Sequence, residues 1–511
     1  MKLRLISKSC FSIRVIAILL VVVTVVTLIP KNLTAHAFES ASQPDLVGTI
    51  TAEDAEQYSI VSRDEASEID LNSLIFNTKN GEKAEFFYPY DVKYIDSEGL
   101  VHDKDTTVSK AESGFVSTRT GVKISFPDKI TDGVSVASSE NKYSVVFAPL
   151  DSADSYSDGT LADDNSTVRY TGLKTAFEYG ATFAGVKENI VLNKYSGVNS
   201  WSFRLQTNGL KLEKKDGQYV LSDGDSSVMF FGSVLAFTAD DRNNTFGELI
   251  AETVTEAEEY VLTISVSDEW LKSEDTSYPV TIDPSITVNY ATGSSAIQDE
   301  ILSSTSTYSV TYDVLYIGKG DNNEKLRGAI CFPGLNLSGK CITSANLEIR
   351  DVMCESTPTL VEMYEYTGSA WDELTTLTWS NASNYGNLLD SHYIYWAGGN
   401  TAADSQRYSF DITPLAQKWA AGTASPSQGV LIKTTDAFEN ASGSFHRCFA
   451  SKDYSGSAQR PSLVITYTEP KGYNPTYTFD NRTLDNNITV YNYHNHGNVL
   501  ITYTCFSPSE T

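Results

Sequence analysis

The sequence predicts an all-β protein made of two antiparallel β-sandwich domains in series, the second a jelly roll with one short helix, after a signal peptide. Three observations carry this. Short runs rich in Val, Ile, Leu and Tyr recur along the chain, each closed by Gly, Asn, Asp, Ser or Pro, which is the punctuation of strands and turns. Where a run can be read residue by residue it alternates: Leu210 and Leu212 share one face, Asp216-Gly217 is a hairpin turn pair, and Tyr219 and Leu221 resume the alternation. The chain of 511 residues also exceeds what one core ordinarily supports.

Taken in order, residues 1–37 read as a secretory signal. Lys2, Arg4, Lys8 and Arg14 precede an apolar run from Val15 to Ile29, and Ala35-His36-Ala37 has the small-x-small pattern of a cleavage site. The run is short for a membrane span, which needs about 20 residues. Residues 38–73 are acidic and aperiodic, with Glu53, Asp54, Glu56, Asp64, Glu65, Glu68 and Asp70, and read as a linker or lead segment with room for one short helix. Residues 74–284 form the first sandwich, with Tyr260–Val266 a clear strand and Pro279 and Pro284 marking its end. Residues 285–468 form the second, with strand-like runs at Val314–Gly318, Ala345–Arg350, Gly429–Lys433 and Ser462–Tyr467. One helix interrupts them: Thr413 can cap it, Pro414 occupies its first turn, Gly422 ends it, and Leu415 and Trp419 share a face. Residues 469–511 read as a linker and a hairpin around His494–Asn498, the start of a further module.

Charge narrows the partners. The net charge is -27, and loss of the basic signal makes the remainder more acidic, so neither nucleic acid nor, after signal cleavage, a membrane surface is an expected partner. Cys331, Cys341, Cys354, Cys448 and Cys505 remain after the signal, with no CxxC spacing; they read as small buried hydrophobes, with a Cys331–Cys341 or Cys354–Cys448 bridge as the alternative that sequence alone does not assign. No GxSxG and no HExxH occurs, and the acids show no marked pair for glycoside hydrolysis. His494 and His496 form an HxH without an adjacent acidic or cysteine ligand.

Aromatic rings offer flat apolar faces to sugars, and the stretch from Trp371 to Trp396 is the densest in them. Tyr385, Tyr395 and Trp396 stand among Asn, Gly and Ser, the setting of an exposed platform, whereas Trp379 and Trp419 read as packing residues and Trp371 stays undecided. Arg447, Lys452 and Arg460 are candidates to meet an acidic sugar.

Residues 285–468 resemble the jelly-roll module called the DNRLRE domain, related to carbohydrate-binding modules of bacterial surface proteins. The matching stretches are Gln298–Leu302, Val314–Gly318, Arg327–Phe332, Ile342–Leu347, Thr376–Trp379, Phe410–Trp419, Gly429–Lys433, Phe449–Lys452 and Arg460–Tyr467. Residues from about Ala84 to Ser285 are similar to the region preceding that module in wall-associated proteins with RHS (YD) repeats, through Gly185–Val191, Thr207–Lys211 and Tyr278–Pro284. No YD repeat occurs in this sequence. The resemblance implies a structural calcium, for which Asp299 and Asp411 are the matched acids, and a glycan partner. The expectation is therefore a secreted or wall-associated, non-catalytic protein whose module binds a polysaccharide or cell-wall glycan through Tyr385, Tyr395, Trp396 and Arg447. A structural spacer that binds no sugar, and a polysaccharide-degrading enzyme with an unrecognised site, stay open.

Overall fold

The computed structural model describes residues 50–469, apart from 139–141, 151–154, 184, 216–217, 233, 239–243, 284, 289–295, 306–313, 321–322, 353–357, 373–376, 396–405, 444 and 455–458. The signal segment, the Asp216-Gly217 turn, Cys354, Trp396 and the hairpin containing His494 and His496 lie outside the described residues. Among the described residues no helix is long and apolar enough to cross a membrane.

The fold is all-β and antiparallel, as the alternating runs require. In the first sandwich one sheet runs from an edge at Glu248–Thr255 through Glu259–Ser265, Ser200–Gln206, Ser144–Pro149, Val134–Ser138 and Val122–Phe126 to Phe115–Ser117 and Ser109–Lys110. The facing sheet contains Thr167–Thr171, Thr175–Ala181, Gly185–Leu192, Ser285–Val288, Ser227–Phe231, Gln218–Ser222 and Lys211–Lys215. Every second residue of these strands points inward, so Phe126, Phe147, Phe177, Tyr179, Phe203 and Tyr260 meet in one core. Phe177 and Phe203 touch edge to face across the two sheets, with centroids 5.6 Å apart.

The second sandwich is a curled sheet around its own core of Ile317, Ile330, Phe332, Leu347, Phe410, Phe449 and Ile465. Cys341–Asp351 is its pivotal strand, pairing with both Ser462–Thr468 and Gln406–Asp411. The helix Thr413–Ala420 lays Leu415, Ala416 and Trp419 on this core, and Trp419 meets Phe332 at 5.4 Å. Thr413 does not cap it: its hydroxyl accepts from the backbone N–H of Ala345, so the cap position falls on Ile412 and the helix N-terminus is tied to the pivotal strand.

The acidic lead segment departs most from expectation. From Ile50 onward it is part of the second sandwich. Thr51 and Asp54 cap the helix Ala52–Gln57 reciprocally, and Ile60–Arg63, Ser73–Thr78 and Lys83–Phe87 extend the sheet, the last pairing along its length with Ser462–Thr468. Three of its acids are held in ion pairs, while Glu53, Glu56, Glu65 and Asp70 are exposed. Asp54 pairs with Arg407 at 2.5 Å, Glu68 with Arg63 at 2.8 Å and Lys93 at 2.9 Å, and Asp64 with Lys83. Its sparse apolar residues, Ile50, Tyr58, Ile60, Leu74, Phe76 and Phe86, close over Val464 in a third cluster. Residues 74–87 thus belong to the second sandwich rather than the first, and Ser285–Val288 to the first rather than the second.

Phe183, on a turn of the first sandwich, enters that third cluster beside Tyr88. Tyr90 lies between Phe183, at 5.8 Å, and the Arg460 guanidinium, at 5.5 Å. All described residues fall in one compact unit, Val47–Thr511. Cys331 and Cys341 are not bridged: the buried Cys331 thiol donates to the carbonyl of Trp371 at 3.5 Å.

Phe86 is buried edge to face against Tyr58 at 5.4 Å and Phe76 at 5.7 Å. Phe86→Ala should lower unfolding stability by about 3–5 kcal/mol in urea titration. A loss under about 1 kcal/mol would mean the lead segment contributes little to the folded state.

Candidate functional site

The outer face of the sheet formed by Gln298–Ser303, Lys325–Cys331, Val430–Thr434, Thr359–Tyr366 and Tyr385–Ile394 gathers most of the half-exposed aromatic rings of the second sandwich. Strand alternation explains which side chains reach it. Ile330, Ile432, Val361 and Met363 point into the core, so Arg327, Lys433, Glu362 and Tyr364 point outward. Glu362 and Lys433 are direct cross-strand partners.

A strap made of residues 371–372 and 377–383 lies over part of this face. Trp371 donates its backbone N–H to Ser427 at 3.1 Å and its indole N–H to the Gln428 carbonyl at 3.0 Å. Leu377 donates its N–H to Glu300 Oε2 at 2.8 Å, and the Ala382 carbonyl accepts from Arg327 Nη1 at 2.6 Å. Trp371, Leu377 and Ala382 bury Leu302, Ala329, Cys331, Tyr366 and Leu431 beneath them. The rim of the strap leaves an aromatic strip. Tyr364 and Tyr385 lie 4.8 Å apart, and the Arg327 guanidinium sits 5.3 Å from Trp379 and 5.6 Å from Tyr385. Arg327 is itself fixed by a two-pronged pair with Glu439, both contacts 2.8 Å. Burial, with Glu362 as hydrogen-bond acceptor at 3.0 Å, pushes the Tyr364 phenol up to about 12, so it stays a neutral donor.

Of the residues singled out from the sequence, Tyr385 lies on this strip. Tyr395 is exposed but follows the opposite end of the same strand, roughly 30 Å away at ~3.3 Å per residue, where it neighbours Tyr393 at 6.4 Å. Trp396 lies outside the described residues. Arg447 is fully enclosed, opposite Ile317 in the core, out of reach of a polymer at the surface. Trp379, read as core, is only half-buried because it leads the strap's short helix instead of a strand. Tyr364, Arg327 and Lys433 were passed over. The alternation Val361, Glu362, Met363, Tyr364 would have placed Tyr364 outward, but Lys433 ends an apolar run with no such signal.

Each of the two acids proposed for calcium accepts a backbone N–H. Asp299 is buried and spends Oδ2 on the backbone N–H of Lys452 at 2.6 Å. Asp411 is exposed, on a strand paired with Cys341–Asp351, and accepts from the Thr413 N–H at 2.8 Å. Among the described residues no three His, Cys, Asp or Glu side chains come together to hold a metal.

Three relatives place these observations. The chain is 22% identical to the tRNA nuclease WapA of Bacillus subtilis strain 168 over 91% of its own length and 21% of that protein. It is 23% identical to the tRNA(Glu)-specific nuclease WapA of Bacillus subtilis subsp. natto over the same shares. It is 24% identical to the tRNA3(Ser)-specific nuclease WapA of Bacillus spizizenii over 57% of this chain and 12% of that one. No family profile matches the chain. The chain thus spans about a fifth of the length of the first two relatives. This likeness agrees with the expected kinship to wall-associated proteins. It overturns two other expectations, that the protein is no enzyme and that nucleic acid is no partner, because all three relatives are named as nucleases acting on tRNA. The charge of -27 was a poor guide here: it describes this stretch, not proteins about five times as long.

Burial raises several acids, among them Asp299 and Glu300 to about 7 and Glu188, which accepts from the Tyr179 hydroxyl at 2.5 Å, to about 8. Unfolded, such groups ionise near 4, so the folded state binds more protons between the two ranges and loses stability as pH rises through them. The thermal midpoint should fall from about pH 5 to about pH 8, and Glu300→Gln, which keeps an acceptor for Leu377, should flatten the decline. A midpoint that rises over this interval would contradict the assignment.

Proposed function

We propose that this chain is part of a wall-associated nuclease, and that its second sandwich holds the protein at the wall by binding glycan on the strip of Tyr364, Tyr385 and Trp379. The tRNA-cleaving activity in this reading belongs to the whole protein and rests on the names of the relatives. The wall role rests on the same likeness.

The single observation that carries the glycan reading is the grouping of three half-exposed rings beside fixed polar groups on one sheet face. A pyranose ring has an apolar face rimmed by hydroxyls, and stacking on an aromatic ring while the rim finds donors and acceptors is how such a ligand is held. Glu362 and the Tyr364 hydroxyl supply that rim chemistry, and the hydrogen bond between them, with the Glu362–Lys433 pair, holds them in place before a ligand arrives.

Retention of the purified chain on insoluble wall polysaccharide measures this. Tyr385→Ala should weaken retention about tenfold, the equivalent of ~1.4 kcal/mol for one lost stacking partner, while Tyr395→Ala leaves it unchanged. Equal retention of Tyr385→Ala and wild type would remove the strip from the binding surface.

A further inference from the structure

We propose that the aromatic strip selects uncharged glycans over polyanionic ones, an inference that rests on the glycan-binding reading above. The strip is bordered by two cations, and both are already neutralised. Arg327 gives Nε and Nη2 to Glu439 and Nη1 to the Ala382 carbonyl, so the edge of its fork that meets carboxylates in two-pronged fashion is taken by Glu439. Lys433 is 3% exposed at its side chain, donates to Asp436 at 2.8 Å and lies 3.9 Å from Glu362.

Glu439, Glu362 and Asp436 outnumber the two cations over the rings, Arg327 and Lys433, and Asp436 is 81% exposed. Lys325, further along the strand of Arg327, donates to Asn440 Oδ1 at 2.8 Å. A sulfate, phosphate or uronate competing for Arg327 would have to displace the buried Glu439 carboxylate, leaving that charge desolvated and unpaired. It would also approach an exposed carboxylate of its own sign. An uncharged pyranose meets neither obstacle and uses only the ring faces and the fixed hydrogen-bonding groups. The cations therefore serve to orient Trp379 and Tyr385 from one side instead of receiving the ligand.

Affinity electrophoresis of the full chain in gels cast with dextran, galactan or glycol chitin, and with dextran sulfate or hyaluronate, tests this. The expected result is retention by an uncharged polymer, unchanged by raised salt, with less or none on either polyanion. Asp436→Lys, which reverses an exposed charge beside the strip, should gain salt-sensitive retention on dextran sulfate and keep its retention on the uncharged polymer. Stronger wild-type retention on either polyanion than on every uncharged polymer would overturn the selectivity and leave the glycan-binding reading intact. No retention on any of the polymers would overturn that reading, and the selectivity with it.

Discussion

The pairing of Lys83–Phe87 with Ser462–Thr468 is the constraint on which the rest of this structure depends. It is a backbone ladder between segments near the two ends of the described chain. It converts what would be an open sheet edge into an interior strand. Ser462–Thr468 is then held on both sides, by Lys83–Phe87 and by the pivotal Cys341–Asp351. Phe86, Val464, Tyr58 and Phe76 bury one another over the junction, and Tyr58 carries a hydrogen bond to Glu348 at 2.9 Å. The same segment continues through Tyr88 and Tyr90 to Phe183, so the closure of the second sandwich also fastens the first.

Charge in this protein does two kinds of work. In the lead segment, carboxylates and cations neutralise one another where backbone from distant parts of the chain meets. Arg407 reaches Asp54 across the edge of the sheet, and Lys340 pairs with Glu85 at 2.5 Å. Such pairs add little if solvent-exposed, but Glu68, Asp54 and Glu85 are buried, so loss of either partner strands a charge. On the aromatic strip the ion pairs hold cations against ring faces, which sets the orientation of Trp379 and Tyr385. The buried acids Asp299 and Glu300 belong to neither group. Each accepts a backbone N–H from a loop, Lys452 and Leu377, and so joins the strand Gln298–Ser303 to segments that cover the sandwich.

The all-β class and the two sandwiches were legible because period-2 alternation and Gly, Asn and Asp turns are local signals. Leu210, Leu212 and Leu221 sit in one core or against it, and the helix at Thr413–Ala420 packs Leu415 and Trp419 inward. The lead segment was not legible, because its burial comes from partners hundreds of residues away. Nothing near Asp54 or Tyr58 announces Arg407 or Glu348. The strip was half legible: Tyr385 stood out by composition, whereas Arg327 and Lys433 gain their roles only from strand register. Arg447 was misplaced because a lone arginine in a strand reads as surface, and here it faces Ile317 in the interior.

The most direct measurement compares unfolding of the full chain with that of a fragment spanning residues 285–469. If Lys83–Phe87 completes the second sandwich, the fragment should aggregate or melt without a cooperative transition, and a chain beginning at residue 50 should restore the full-length midpoint. A monomeric 285–469 fragment that unfolds cooperatively at the midpoint of the full chain would contradict this account.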